Sequence, residues 1–306
     1  MFNDISMDLV QLAFVTGLGF GAIYVVIAMS YTLVLAASGV FNFALASVVM
    51  GGAVATFVLR ERVGLPLLVA LLVVLAGGAL IGGLSDVVAV RPFLKRTGSL
   101  TEEALVTTLG LGLAFAATAE LLFGSNTFRS TPYTSDTPID IASVPVRPVF
   151  IMMIVAGAAI TFALDRVMAK TQIGSILRAT IADREGASLF GINPDRVILF
   201  AFILAGALGA LAGFLLLPLT SASAYVGNDL SLVAFVAMAL GGFGSFRGVI
   251  VGGLAVGMVS AFTPVFLSSV WGRPVLFLFM LVMLVLRPRG LFGSAGQFGS
   301  GDLREV

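Results

Sequence analysis

The chain has 306 residues, of which 59% are hydrophobic and only 11% charged, against about 25% charged in soluble domains, so it is read as an integral membrane protein. With 17 Lys and Arg against 16 Asp and Glu, the net charge of +1 gives no reason to expect nucleic acid or an acidic partner. The absence of Cys and His excludes disulfides, thiol chemistry and the commonest general base and metal ligand.

Crossing a bilayer takes about 20 apolar residues. In chain order, runs of this kind predict nine spans, at roughly 9–37, 43–59, 65–85, 104–123, 148–165, 197–217, 230–246, 248–268 and 274–287, with eight as the alternative count. The expected fold class is therefore all-α, a polytopic transmembrane helical bundle. The first run is too long for one straight crossing and carries Gly17, Gly19 and Gly21, so a tilt, a break or an interfacial continuation is expected there. Asp4 and Asp8 stand where a leader would carry basic residues, so no cleavable signal is expected.

Between the fourth and fifth spans, the stretch 124–147 is polar and punctuated by Pro132, Pro138 and Pro145. Such backbone cannot face lipid at depth, and Ile139-Asp140-Ile141 points to a small hairpin. A second polar interruption, within 166–196, separates the fifth and sixth spans. There Ser175 is a candidate helix cap, Gly191 suits a left-handed helix end, and Asn193-Pro194 reads as the cap and first turn of the next helix. A single helix through this stretch puts Ala179, Ala182, Gly186 and Phe190 on one stripe, with Arg178 and Glu185 opposite. Small residues of this kind admit close approach of another protein, and a loop lying on lipid headgroups has the same pattern. The tail 294–306, with Gly296, Gly299 and Gly301, reads as disordered.

If every span crosses once, one face gathers twelve basic residues, among them Arg91, Arg166, Lys170, Arg178, Arg184 and Arg247, against five on the other. The positive-inside rule then places 166–196 and the C-terminus in the cytoplasm and the N-terminus outside. The halves echo each other: a Gly-rich helix, a polar stretch and a helix ending in Gly-Gly occur at 17–52 and again at 206–242. By span count these blocks run in opposite directions, the pattern of an inverted repeat with the substrate path at its interface.

The loop Arg178-Ala179, Ala182-Asp183-Arg184-Glu185, Ala187 and Gly191-Ile192 resembles the coupling loop of ABC importer permeases, the branched-chain amino acid (Liv-type) permease family above all. Three more stretches agree in order: Val40-Phe41-Asn42-Phe43-Ala44, Gly241 to Ser245 with Gly248, and Arg287 to Gly293. The resemblance implies an H-type permease subunit in a bacterial inner membrane. Its implied partners are a second, M-type permease, two cytoplasmic ATPases and an external solute-binding protein, with no cofactor of its own. It further implies ATPase contact through Arg178, Ala179, Ala182, Asp183, Arg184, Glu185, Gly186, Ala187 and Gly191.

The translocation path is expected along the polar interruptions Ser38 to Ser47 and Thr220 to Ser231, with Asn42, Phe43, Ser47, Gly242 and Gly244 as its candidate residues. Family members usually follow asparagine-phenylalanine-alanine with histidine or glutamine, glycine and glutamate, whereas this chain has Leu45, Ala46 and Ser47. That departure leaves open related cargoes, namely urea, short amides and aromatic carboxylates. A stand-alone secondary transporter or channel is the rival class. It usually shows an ionisable site near the midplane, whereas Asp86, Glu120, Asp165 and Asp229 all fall near predicted span ends.

Overall fold

The computed structural model describes residues 7–93, 102–124, 127–128, 130–134, 137–141, 144–220, 226–288 and 290–293. The tail 294–306, Arg289, Lys95, Arg96 and Ser221 to Tyr225 lie outside the described residues.

The helices are α1 (Met7–Ser38), α2 (Leu45–Phe57), α3 (Leu67–Ser85), α4 (Glu102–Phe123), α5 (Pro148–Lys170), α6 (Gln172–Ala182), α7 (Arg184–Leu189), α8 (Pro194–Leu216), α9 (Val226–Gly241), α10 (Phe246–Phe266) and α11 (Gly272–Leu286). Single π turns extend α2 over Val58–Arg62 and α3 over Asp86–Val90. Among the described residues, seven helices are long and apolar enough to cross a membrane. The other two of the nine predicted spans are α2 and α9, with 13 and 16 residues. At about 1.5 Å per residue, neither covers a hydrocarbon core of about 30 Å without the segments that flank it.

The first apolar run does not break. It is one helix of 32 residues, and it is the axis of the bundle, contacting α5, α8, α9 and α10. Ile23 to Val34 are buried on every side, so α1 has no polar face to orient it. Close approach comes from glycine instead. Gly17 and Gly21 of α1 face Gly253 and Gly257 of antiparallel α10, and a Cβ on Gly17 would meet Met258 Sδ at 2.9 Å. Gly78 and Gly82 of α3 lie likewise against Gly206 of α8. Without an apolar driving force between helices in lipid, such small-residue contacts supply the packing.

The expected hairpin is present, β1 (Ile139–Ile141) pairing antiparallel with β2 (Val144–Val146). Beside it, the loop 130–134 is fastened to the end of α2. Glu61 accepts from Ser130 Oγ at 2.8 Å and from the Thr131 N–H at 2.9 Å, and Arg60 lies 4.9 Å over the Tyr133 ring. These bonds to the carboxylate, those of Thr131 first, hold Glu61 below its ordinary pKa. Helix α1 ends and α8 begins beside the α6–α7 loop, so these two helices of the suspected repeat run in opposite directions.

Candidate functional site

The loop between α5 and α8 is two helices and not one. Thr171, not Ser175, caps α6, its hydroxyl accepting from the Gly174 N–H. Helix α6 buries Gly174, Leu177 and Thr180 at helical spacing. At Asp183 the backbone turns extended, with φ −156° and ψ 112°, and the carboxylate accepts from the Gly186 N–H at 2.9 Å to start α7. Aspartate caps well because its oxygen replaces a missing helical acceptor. The expected continuous stripe is thereby broken. Ala179 and Ala182 are exposed on α6, whereas Gly186 is half-buried beside the Asp183 carboxylate and Ala187 is buried.

Helix α7 ends as expected at Gly191, whose φ of 80° suits glycine. The N–H groups of Gly191 and Ile192 donate to the carbonyls of Ser188 and Ala187, closing a Schellman turn. Asn193 then caps α8 with Pro194 in its first turn. This geometry turns Leu189 and Phe190 outward, 87% and 88% exposed. Phe190 is expected from sequence on the small-residue stripe, whereas Leu189 carries no signal beyond its place before the turn glycine.

Two arginines of the loop grip helix ends, Arg178 from an exposed position and Arg184 from a half-buried one. Arg178 donates to the Met168 carbonyl in the last turn of α5 and to Ser175 Oγ at 3.2 Å. Arg184 donates from Nη2 to the carbonyls of Ala37 at 3.1 Å and Ser38 at 2.7 Å, in the last turn of α1. Both satisfy carbonyls that a helix end leaves without partners, where the helix dipole also favours a cation. Burial lowers the Arg184 pKa from its ordinary value, and the Asp195 carboxylate acts in the opposite sense. Nearby, Arg91 pairs with buried Asp86 at 2.7 Å and reaches the Asp195 carbonyl at 3.4 Å. Sequence reading used Arg91 only for orientation.

Beyond Ser38, the α1–α2 joint is built of aromatic rings. Gly39 turns the chain with φ 74°. Phe41 stacks on Tyr31 at 4.8 Å and meets Phe43 and Phe235 edge-on at 4.8 and 5.6 Å. Phe235 in turn lies 5.8 Å from Phe243. The chain of rings thus joins Asn42 and Phe43 to the α9–α10 turn, which Gly242 and Gly244 shape with φ 103° and 79°. Asn42 is 1% exposed; its Oδ1 accepts from the Ala44 N–H, and its Nδ2 has no partner among the described residues. Phe43 is exposed, while Ser47 is buried and donates to the Gly112 carbonyl of α4 at 2.7 Å. Two stretches noted separately in the sequence also meet here. Leu291 and Phe292 donate backbone N–H groups to Leu240 and Gly241 at the end of α9, at 2.8 and 3.0 Å.

Residues 13–286 match the family model described as "Branched-chain amino acid transport system / permease component". The chain belongs to this family. It is 30% identical to the high-affinity branched-chain amino acid transport system permease protein LivH of Escherichia coli K12, over 90% of this chain and 93% of LivH. It is 27% identical to BraD of Pseudomonas aeruginosa, over 91% and 94%. The probable LivH of Methanocaldococcus jannaschii is 25% identical over 88% of each chain. The permease is thus a multi-pass membrane subunit of an ABC importer. Importers of this family combine permease and ATPase subunits in general.

Proposed function

We propose that this permease moves branched-chain amino acids across a bacterial inner membrane as the H-type partner of an M-type permease. In this reading residues 1–293 form the membrane domain, with 166–196 in the cytoplasm, 124–147 outside, the N-terminus outside and the C-terminus inside. Two ATPases dock on the loop through Arg178, Ala179, Ala182, Asp183, Glu185 and the Leu189–Phe190 pair, while an external binding protein delivers the solute. The path runs past Asn42, Phe43, Ser47, Gly242 and Gly244. The observation that carries the solute class is the likeness to LivH over nearly the whole of both chains.

Reconstitution in liposomes with an M-type permease, ATPase subunits and a binding protein tests the reading. Leucine uptake that requires ATP hydrolysis is expected. Uptake without the ATPases makes the chain a stand-alone transporter. ATP-driven uptake of urea, an amide or an aromatic carboxylate, with none of leucine, moves it to a related cargo, consistent with Leu45, Ala46 and Ser47. Since the chain has no Cys, orientation is read from Thr127→Cys, which should react with an impermeant thiol reagent from outside, and Ser188→Cys, which should react only from inside.

A further inference from the structure

We infer that Arg184 is a positioning residue that carries movement of the docking loop into the aromatic joint between α1 and α2; the inference rests on the docking role proposed for that loop. Arg184 sits in the first turn of α7, five residues before exposed Leu189, yet its guanidinium holds Ala37 and Ser38, 147 and 146 residues away in the chain. The bond is charge-assisted and partly buried, hence stronger and less screened than a neutral surface contact. A displaced α7 cannot leave the end of α1 behind without stranding both carbonyls and a half-buried charge.

The joint beyond Ser38 is held differently. Its hydrogen bonds to α4 are long, the Phe43 N–H to Thr108 Oγ1 at 3.4 Å and Thr108 Oγ1 to the Phe41 carbonyl at 3.5 Å. The rest is ring contact from Phe41 to Tyr31, Phe43 and Phe235 and the local turn bonds into α2, Ala44 N–H to Asn42 Oδ1 at 3.0 Å and Leu45 N–H to the Asn42 carbonyl at 3.3 Å, while the buried Asn42 Nδ2 has no partner among the described residues. The core of α1 is locked into α10 by interleaved glycine contacts. A pull on Ser38 is therefore taken up at 41–43, where least opposes it, and shifts the Phe41 ring between its neighbours. Arg178 has the corresponding grip on α5, but no such joint follows Met168, because α5 and α6 are separated only by Thr171.

The test uses the full importer in liposomes, measuring ATP hydrolysis and solute uptake in the same preparation. Arg184→Ala is expected to assemble and hydrolyse ATP near the wild-type rate while uptake falls at least tenfold, raising the ATP consumed per solute. Arg184→Lys, whose ammonium can donate to both carbonyls, should restore most of the coupling. If Arg184→Ala does not assemble, Arg184→Gln is read by the same ratio. An unchanged ratio, or loss of assembly in both the Ala and Gln variants, overturns the inference. Leu189→Glu separates this from the docking reading: its normal assembly with the ATPases sinks docking through that pair, whatever Arg184 does.

Discussion

Gly78 of α3 and Gly206 of α8 lie backbone against backbone, so closely that a Cβ on either would overlap the other's carbonyl. Gly77, one residue earlier, faces open space. Gly78→Ala should therefore destabilise the permease by about 1–3 kcal/mol, the usual range for overpacking. Gly77→Ala should be neutral or gain up to about 1 kcal/mol from helix propensity. Thermal unfolding of the two purified variants is the measurement, and equal shifts would contradict the packing described.

Leu189 and Phe190 touch little of their own chain. Replacing both with Ser should leave the thermal midpoint nearly unchanged, within about 0.5 kcal/mol as for other surface positions. Association with the ATPase subunits should fall steeply, since an anchoring apolar side chain is commonly worth about 2 kcal/mol, or roughly 30-fold in affinity. Pull-down and equilibrium binding in detergent measure this. Unaltered binding would place the contact elsewhere on the loop.

Ser47 is expected from sequence to face the path, whereas its hydroxyl here ties α2 to Gly112 of α4. Ser47→Ala should cost about 0.5–1.5 kcal/mol of stability and leave uptake close to normal. Ser47→Glu should lower both, because a buried carboxylate has no proton to donate to the Gly112 carbonyl and must be desolvated. Abolished uptake in a stable Ser47→Ala protein would instead make the hydroxyl a ligand of the solute.

At the other face, Glu61 has a folded pKa below its ordinary value because Thr131 and Ser130 donate to its carboxylate. A depressed carboxylate contributes stability that is present above the unfolded pKa and lost as pH falls through the folded one. The loop 130–134 should stay protected from hydrogen exchange at neutral pH and lose protection only below the ordinary glutamate range. Glu61→Gln should have lost much of that protection already at neutral pH. Identical pH profiles for the two proteins would remove Glu61 from the latch.

The sequence by itself determined what depends on near neighbours. The nine apolar runs, the helix end at Gly191 and start at Asn193-Pro194, and the hairpin near Asp140 are each set by residues within a few positions; all appear in the fold, the nine runs as helices of which seven are long enough to cross a membrane. Family membership was legible from short motifs met in order along the chain, and the chain is 30% identical to LivH of Escherichia coli K12. The tertiary structure alone decided which side chains meet which helix ends and rings. Asp183 suits either a helix interior or a cap, and the packing of Gly174 and Leu177 beneath α6 goes with the cap. Arg184 looked like a surface charge because its partners, Ala37 and Ser38, are backbone carbonyls 147 and 146 residues away, which carry no side-chain signature. The meeting of Phe41, Phe235 and Phe243 was hidden for a related cause. In helices apolar on every side, no periodicity marks the inward face, so only the packed bundle shows which rings touch.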